Sequence, residues 1–132
     1  DGVCDTVGYS SAVIVVNTKF YEKNVNLVKC FLQTHIEITE HINKYPEDAM
    51  IKINDKIGEL TGSKLSYSIL KNAFSDIIVT FEPSVLSINK FMTIYQDEGF
   101  VKSIPNKNKI YDFETLNELL RDKHLTEIRV EP

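Results

Sequence analysis

The sequence lacks most of the features that would assign it to a specialised class of protein. It has two cysteines in 132 residues, too few for a disulfide framework. Cys4 and Cys30 are expected to be free thiols, with a single disulfide between them as the alternative. No apolar run reaches the roughly 20 residues that span a bilayer, and no secretory signal is recognisable. The net charge of −4 disfavours nucleic acid and anionic membranes as partners.

Residue patterns for catalysis or metal binding are also scarce. His35 and His41 lie six positions apart on one predicted helix, so they point in different directions and cannot chelate one metal; His124 lies far along the chain. There is no phosphate-binding glycine loop, HExxH, CxxC or GxSxG motif. The basic segment Lys102–Lys109 lacks interleaved aromatic residues, which favours a solvated loop over a nucleic-acid patch. We therefore expect no catalytic residue, metal or cofactor.

The most informative stretch that is present is Ala12–Val16. These five consecutive apolar residues, four of them β-branched, predict a short strand covered on both faces. Ile77–Phe81 is a second candidate strand, and the remaining sequence offers few partners for either. A doubly covered strand without partner strands indicates that this chain is part of a larger protein or assembly. Because the first residue is Asp1, we interpret the chain as a processed mature protein or an excised fragment.

Local signals predict about five helices. Pro46 suits the first turn of the second helix, and Ser84 suits the N-cap of the fourth. Gly99 suits a left-handed C-terminal cap, after which Phe100 folds back as its hydrophobic contact. The predicted helices are Tyr21–Asn43, Glu47–Leu60, Leu65–Phe74, Ser84–Glu98 and Phe113–Arg121.

The length predicts a single domain over residues 1–132. Residues 1–11 form a linker-like lead-in, residues 12–123 a helical α/β subdomain, and residues 124–132 a tail. The fold class is α/β and mostly helical, with one or two short strands. The predicted core consists of Val15, Val28, Phe31, Leu32, Ile36, Met50, Ile53, Ile57, Phe91 and Leu116.

Several segments occur in an order that is shared with one known family. Val13–His35 reads as apolar strand, polar pair, Phe and a Val-rich helix, and Asn43–Ala49 contains Asn-x-x-Pro-Glu-x-Ala. Phe91–Lys102 and the Asp112-Phe113 pair follow at matching positions. Together they resemble the solute-binding proteins of ABC importers, in the group for aliphatic sulfonates, nitrate, taurine and thiamine precursors. The similarity covers about residues 8–123.

The resemblance implies part of one lobe of the type II periplasmic-binding-protein fold. It places Gly8, Tyr9, Ser10 and Ser11 near the ligand cleft, as candidate ligand-binding residues. The central lobe has no counterpart here, so the resemblance implies a C-terminal portion that binds a small-molecule solute only in the complete protein. It further implies an ABC permease as partner and an extracytoplasmic location, periplasmic or at the cell surface.

Two other functional classes remain open. One is a free-standing helical interaction or regulatory module that keeps this subdomain without the cleft. The other is a metabolic enzyme, because thiamine-pyrimidine synthases share the solute-binding fold, although they need a site rich in histidine and cysteine. In the complete solute-binding protein neighbouring strands would pair with Ala12–Val16. In the isolated chain the unpaired strand predicts a homodimer, formed by pairing this strand across a two-fold axis or by exchanging an element.

Overall fold

The computed structural model describes residues 9–106 and 110–129, which form helices joined by irregular segments. Six helices lie within these residues, and none of them has the length and apolarity to cross a bilayer. The helices are α1 (Thr18–Lys23), α2 (Val25–Lys44), α3 (Pro46–Thr61), α4 (Tyr67–Ser75), α5 (Val85–Asp97) and α6 (Glu114–Asp122).

The helix ends follow the local signals in the sequence. Pro46 occupies the first turn of α3, and Gly62 ends that helix in the left-handed conformation with φ of 82°. At α5 the Ser84 hydroxyl accepts the Ser87 N–H, as an N-cap should. Gly99 follows α5 with φ of 77°. The predictions made from Pro46, Ser84 and Gly99 are confirmed.

The first predicted helix is divided into two. Asn17 caps α1 by accepting the Phe20 N–H at 3.2 Å. Asn24 then interrupts the helical backbone with φ of −136°. Its side-chain amide donates to the Phe20 carbonyl at 2.8 Å, and its own N–H donates to the Tyr21 carbonyl. Asparagine competes in this way with regular helical bonding, which accounts for the break between α1 and α2.

The predicted strands do not form in the described part of the chain. Ala12–Val16 and Ile77–Phe81 are both irregular there. Runs of β-branched residues favour an extended backbone, but a strand also needs a second strand to accept and donate its hydrogen bonds. No described segment pairs with either run. The helical part of the predicted fold class is therefore confirmed, whereas the β part does not appear.

The length of the chain predicts a single domain. In the structure the chain divides into two compact units. Unit 1 consists of the described residues up to Leu32 and from Glu82 onward, and unit 2 is Gln33–Phe81. The division falls inside α2. Unit 2 therefore contains the C-terminal part of α2 together with α3 and α4, which pack on each other.

Each unit has its own small set of buried side chains. Ile36, Met50 and Leu116 are buried as predicted, and Val28, Leu32, Ile53, Ile57 and Phe91 are partly buried. Val15 and Phe31 are wrong predictions, because they are 85% and 56% exposed. Phe31 lies one position before Leu32, and this 100° step turns it away from the Leu32–Ile36 face. The buried residues that the prediction missed are Thr39, Ala49 and Leu70 in unit 2 and Ser87, Leu119, Leu120 and Ile128 in unit 1.

Two asparagines bind the main chain of a residue eleven positions further on. In unit 2, the Asn54 amide of α3 donates to the Leu65 carbonyl at 2.9 Å and accepts the Leu65 N–H at 2.8 Å. In unit 1, Asn117 of α6 binds both main-chain groups of Ile128 at the same two distances. Each side-chain amide therefore holds the segment that follows its helix against that helix: Asn54 holds Leu65 against α3, and Asn117 holds Ile128 against α6.

Candidate functional site: an aromatic groove in unit 1

Unit 1 contains an open groove of about 350 Å³, which we call the aromatic groove. The lead-in segment forms one wall and one face of α5 forms the other. Its volume lies at the lower end of the range for small-molecule and peptide sites. The lining residues are Tyr9, Ser10, Ser11, Ile88, Phe91, Met92 and Tyr95.

Ser10 fixes the lead-in wall to the start of α5. Its hydroxyl accepts the Ser84 N–H at 2.8 Å, which satisfies an amide at the helix N-terminus. Its own N–H donates to the Ser87 hydroxyl at 3.3 Å. Ser87 is buried and also donates to the Ser84 carbonyl at 3.0 Å. This network of three serines positions Tyr9 and Ser11 on either side of Ser10.

The α5 wall results from the helical repeat. Ile88, Phe91, Met92 and Tyr95 occur at steps of three, one and three residues, so they share one face of the helix. The Tyr9 ring meets Phe91 edge to face, with 6.3 Å between ring centroids. Phe91 in turn lies 6.3 Å from Tyr95. The two walls are therefore joined by contacts between aromatic rings.

Gly99 extends this series of rings by one. Its left-handed backbone lets the chain turn back, so that the Phe100 N–H donates to the Tyr95 carbonyl at 2.8 Å. The Phe100 ring then lies edge to face on Tyr95, with centroids 5.9 Å apart. We call the series Tyr9, Phe91, Tyr95 and Phe100 the aromatic row. Tyr9, Tyr95 and Phe100 are all exposed, Phe100 by 77%.

None of the seven described residues that line the groove is charged. Among the described residues, its polar side chains are the hydroxyl groups of Tyr9, Ser10, Ser11 and Tyr95. Neutral hydroxyls can donate to or accept from a ligand's main-chain or ring atoms. The groove therefore suits an apolar ligand with a few neutral polar groups.

Three of the four predicted site residues line this groove. Tyr9, Ser10 and Ser11 form its lead-in wall, whereas Gly8 lies outside the described residues. The prediction missed the α5 wall and Phe100. Of these residues Phe91 is a predicted core residue and Phe100 is the predicted hydrophobic contact after Gly99, so the sequence indicates packing positions for both.

His41, in unit 2, belongs to a surface ion-pair cluster with Asp48 and Lys52. Asp48 accepts a bond from Lys52 at 2.6 Å and lies 2.9 Å from His41 Nε2. The Lys52 bond first, and the His41 bond second, lower the pKa of the Asp48 carboxyl. All three side chains are exposed, and pairs of this kind contribute little to stability. Within the described ranges, no three His, Cys, Asp or Glu side chains converge as a metal site would require.

No match to this chain is found among protein-family models, curated proteins or solved structures.

Proposed function

We propose that the chain is a helical interaction module that binds an extended, apolar segment of a partner protein in the aromatic groove. The observation that carries this proposal is the aromatic row, a continuous and largely exposed series of four rings in unit 1. Aromatic side chains are enriched among the residues that dominate binding energy at protein interfaces. A row of this kind left open to solvent is typical of a binding surface.

The spacing of the rings favours an extended ligand. Neighbouring rings in the row lie 5.9 to 6.3 Å apart. In an extended peptide, alternate side chains share one face and lie about 6.6 Å apart. A partner with apolar residues at alternate positions can therefore place one side chain against each successive ring. The Tyr9 and Ser11 hydroxyls remain available for the partner's main chain.

A peptide titration tests this proposal. The probe is a fluorescein-labelled nonapeptide, Gly-Ser-Ile-Thr-Val-Thr-Val-Ser-Gly, and the readout is fluorescence polarisation. We expect saturable binding, weakened about tenfold or more by Phe100→Ala, since that exposed ring contributes to binding and little to folding. Leu60→Ala removes a side chain of α3 that is 76% exposed, against 77% for Phe100, and is the matched control, which should bind like the unmodified chain.

Two outcomes contradict the proposal. One is the absence of saturable binding by the alternating peptide. The other is equal binding of a peptide with the same composition in which the three apolar residues are consecutive, because that peptide cannot place its side chains at the spacing of the rings.

A second candidate is the C-terminal portion of a solute-binding protein, which the resemblance implies. The observation that favours it is that Tyr9, Ser10 and Ser11 line the groove. If so, the groove's chemistry favours a heterocycle over an oxyanion. Rings can stack on Phe91 and Tyr95, whereas sulfonate or nitrate would meet no lysine or arginine among the seven lining residues.

The length of the natural chain separates the candidates. Calorimetry with a thiamine-precursor pyrimidine should detect no binding by this chain alone in either case, because the second candidate needs a further lobe to close the cleft. The intact mass of the naturally expressed protein should be about 15 kDa for the interaction module and about twice that for the solute-binding protein.

A further inference from the structure

The segment Ala12–Val16 is exposed and its main chain is unpaired. No hydrogen bond joins its N–H and C=O groups to any other described residue, whereas Ser10 and Asn17 on either side are both bonded. Exposure ranges from 43% at Val16 to 85% at Val15. Side chains at both even and odd positions are exposed, so a strand formed by this segment would have both faces uncovered.

This segment also lacks the features that prevent strand pairing. Natural chains protect exposed extended edges with charge, proline or a covering element. Here residues 9–18 contain neither charge nor proline, and Lys19 is the first charged residue after the segment. Two identical segments can therefore approach without like charges meeting.

We propose that two copies of this chain pair their Ala12–Val16 segments as antiparallel strands across a two-fold axis. The register that overlaps all five residues places Ile14 opposite Ile14. Val13 then faces Val15 of the other copy, and Ala12 faces Val16.

The available area indicates a weak dimer. Pairing removes from water the main chain of both segments and part of the exposed side chains of Val13 to Val16, while the outer faces of the two-stranded ribbon remain open. Such an area lies at or below the lower end of the range for specific interfaces, about 1,200 Å². We therefore expect a dimer that dissociates in the micromolar range.

Sedimentation equilibrium over a concentration series measures this dimer. Ile14→Lys places two charges face to face at the centre of the pairing and should weaken the dimer at least tenfold. Ile51→Lys introduces the same charge at an exposed site in α3, 59% exposed against 48% for Ile14, and should leave the dimer unchanged. A monomer at every concentration up to high micromolar overturns the proposal, as does an equal effect of the two lysine variants.

Single-cysteine variants test the register, in a chain carrying Cys4→Ser and Cys30→Ser. Ile14→Cys should form a disulfide-linked dimer on mild oxidation, because directly opposite residues have Cα atoms about 4.5 to 5.5 Å apart. Val16→Cys should not, because the register separates the two copies of residue 16 by about 13 Å along the strands. Cross-linking of both variants to the same extent, or of neither, overturns the proposed pairing whether or not the aromatic groove binds peptides.

Discussion

At the scale of single residues, asparagine side chains substitute for a missing strand. Asn54 and Asn117 each offer one donor and one acceptor to the main chain of a residue eleven positions ahead, as a neighbouring strand would. Ile128, the residue held by Asn117, is buried. The C-terminal segment of unit 1 therefore depends on a single amide for its two main-chain bonds at this point.

Asn117→Ala should lower the free energy of unfolding by about 1 to 3 kcal/mol, because it leaves both main-chain groups of Ile128 without a partner. Urea unfolding followed by circular dichroism measures this change. Asn26→Ala is the matched control, since Asn26 is an exposed residue of α2, and its effect should stay within about 0.5 kcal/mol. Equal effects of the two substitutions would show that the Asn117 bonds contribute nothing.

At the scale of elements, ion pairing connects α2 to α6 within unit 1. The Lys29 ammonium donates to Glu118 Oε1 at 2.7 Å. That hydrogen bond is the main reason why the pKa of the Glu118 carboxyl is lowered from 4.5 and the pKa of Lys29 is raised from 10.5. The Lys29 and Glu118 side chains are 36% and 50% exposed, so solvent and salt screen the pair and it contributes little to stability.

Lys29→Met should raise the pKa of the Glu118 carboxyl toward 4.5, as measured by an NMR titration of the side-chain carbon. The lowered pKa means that Glu118 stabilises the fold above about pH 4.5, and that this contribution is lost as the pH falls through its folded value. The raised pKa of Lys29 makes its contribution present below about pH 10.5 and lost above it. An unchanged Glu118 titration in Lys29→Met would contradict the pairing.

The helices were predictable from the sequence because their signals are local. Pro46, Ser84 and Gly99 act through their own backbone or cap geometry, so they have the same meaning in any fold. The break at Asn24 was missed because asparagine also occurs inside helices, and the outcome depends on which carbonyl its amide binds. Whether Ala12–Val16 forms a strand depends on a partner that the segment itself does not specify.

The candidate site was partly predictable for the same reason. The resemblance placed Tyr9, Ser10 and Ser11 near a cleft, and these residues line the groove. The periodicity of α5 identified an apolar face, but the amount of chain that covers such a face is a property of tertiary packing. Phe31 shows the same limitation, since it is apolar, helical and 56% exposed.

At the scale of the whole molecule, both units expose large apolar side chains. Examples are Val15 and Phe100 in unit 1 and Leu60 and Ile78 in unit 2. Where such side chains adjoin one another, as in the aromatic row, the surface is typical of an interaction site.

Because each unit has its own core, we expect a core substitution to destabilise the unit that contains it more than the other unit. Met50→Ala removes a buried side chain from unit 2 and should cost about 2 to 5 kcal/mol. We expect hydrogen exchange to accelerate more in α3 and α4 than in α6. Leu120→Ala, at a fully buried position in unit 1, should give the opposite pattern. Uniform acceleration throughout the chain in both variants would indicate a single cooperative unit.

The absence of charge in the aromatic groove also determines how fast a ligand should arrive. Electrostatic steering accelerates association between complementary charged surfaces and is lost as salt is added. The seven residues that line the groove provide no such field. A peptide should therefore associate at an unsteered rate of about 10⁵ to 10⁶ M⁻¹s⁻¹ that hardly changes with ionic strength, and differences in affinity among peptides should arise from how long each remains bound.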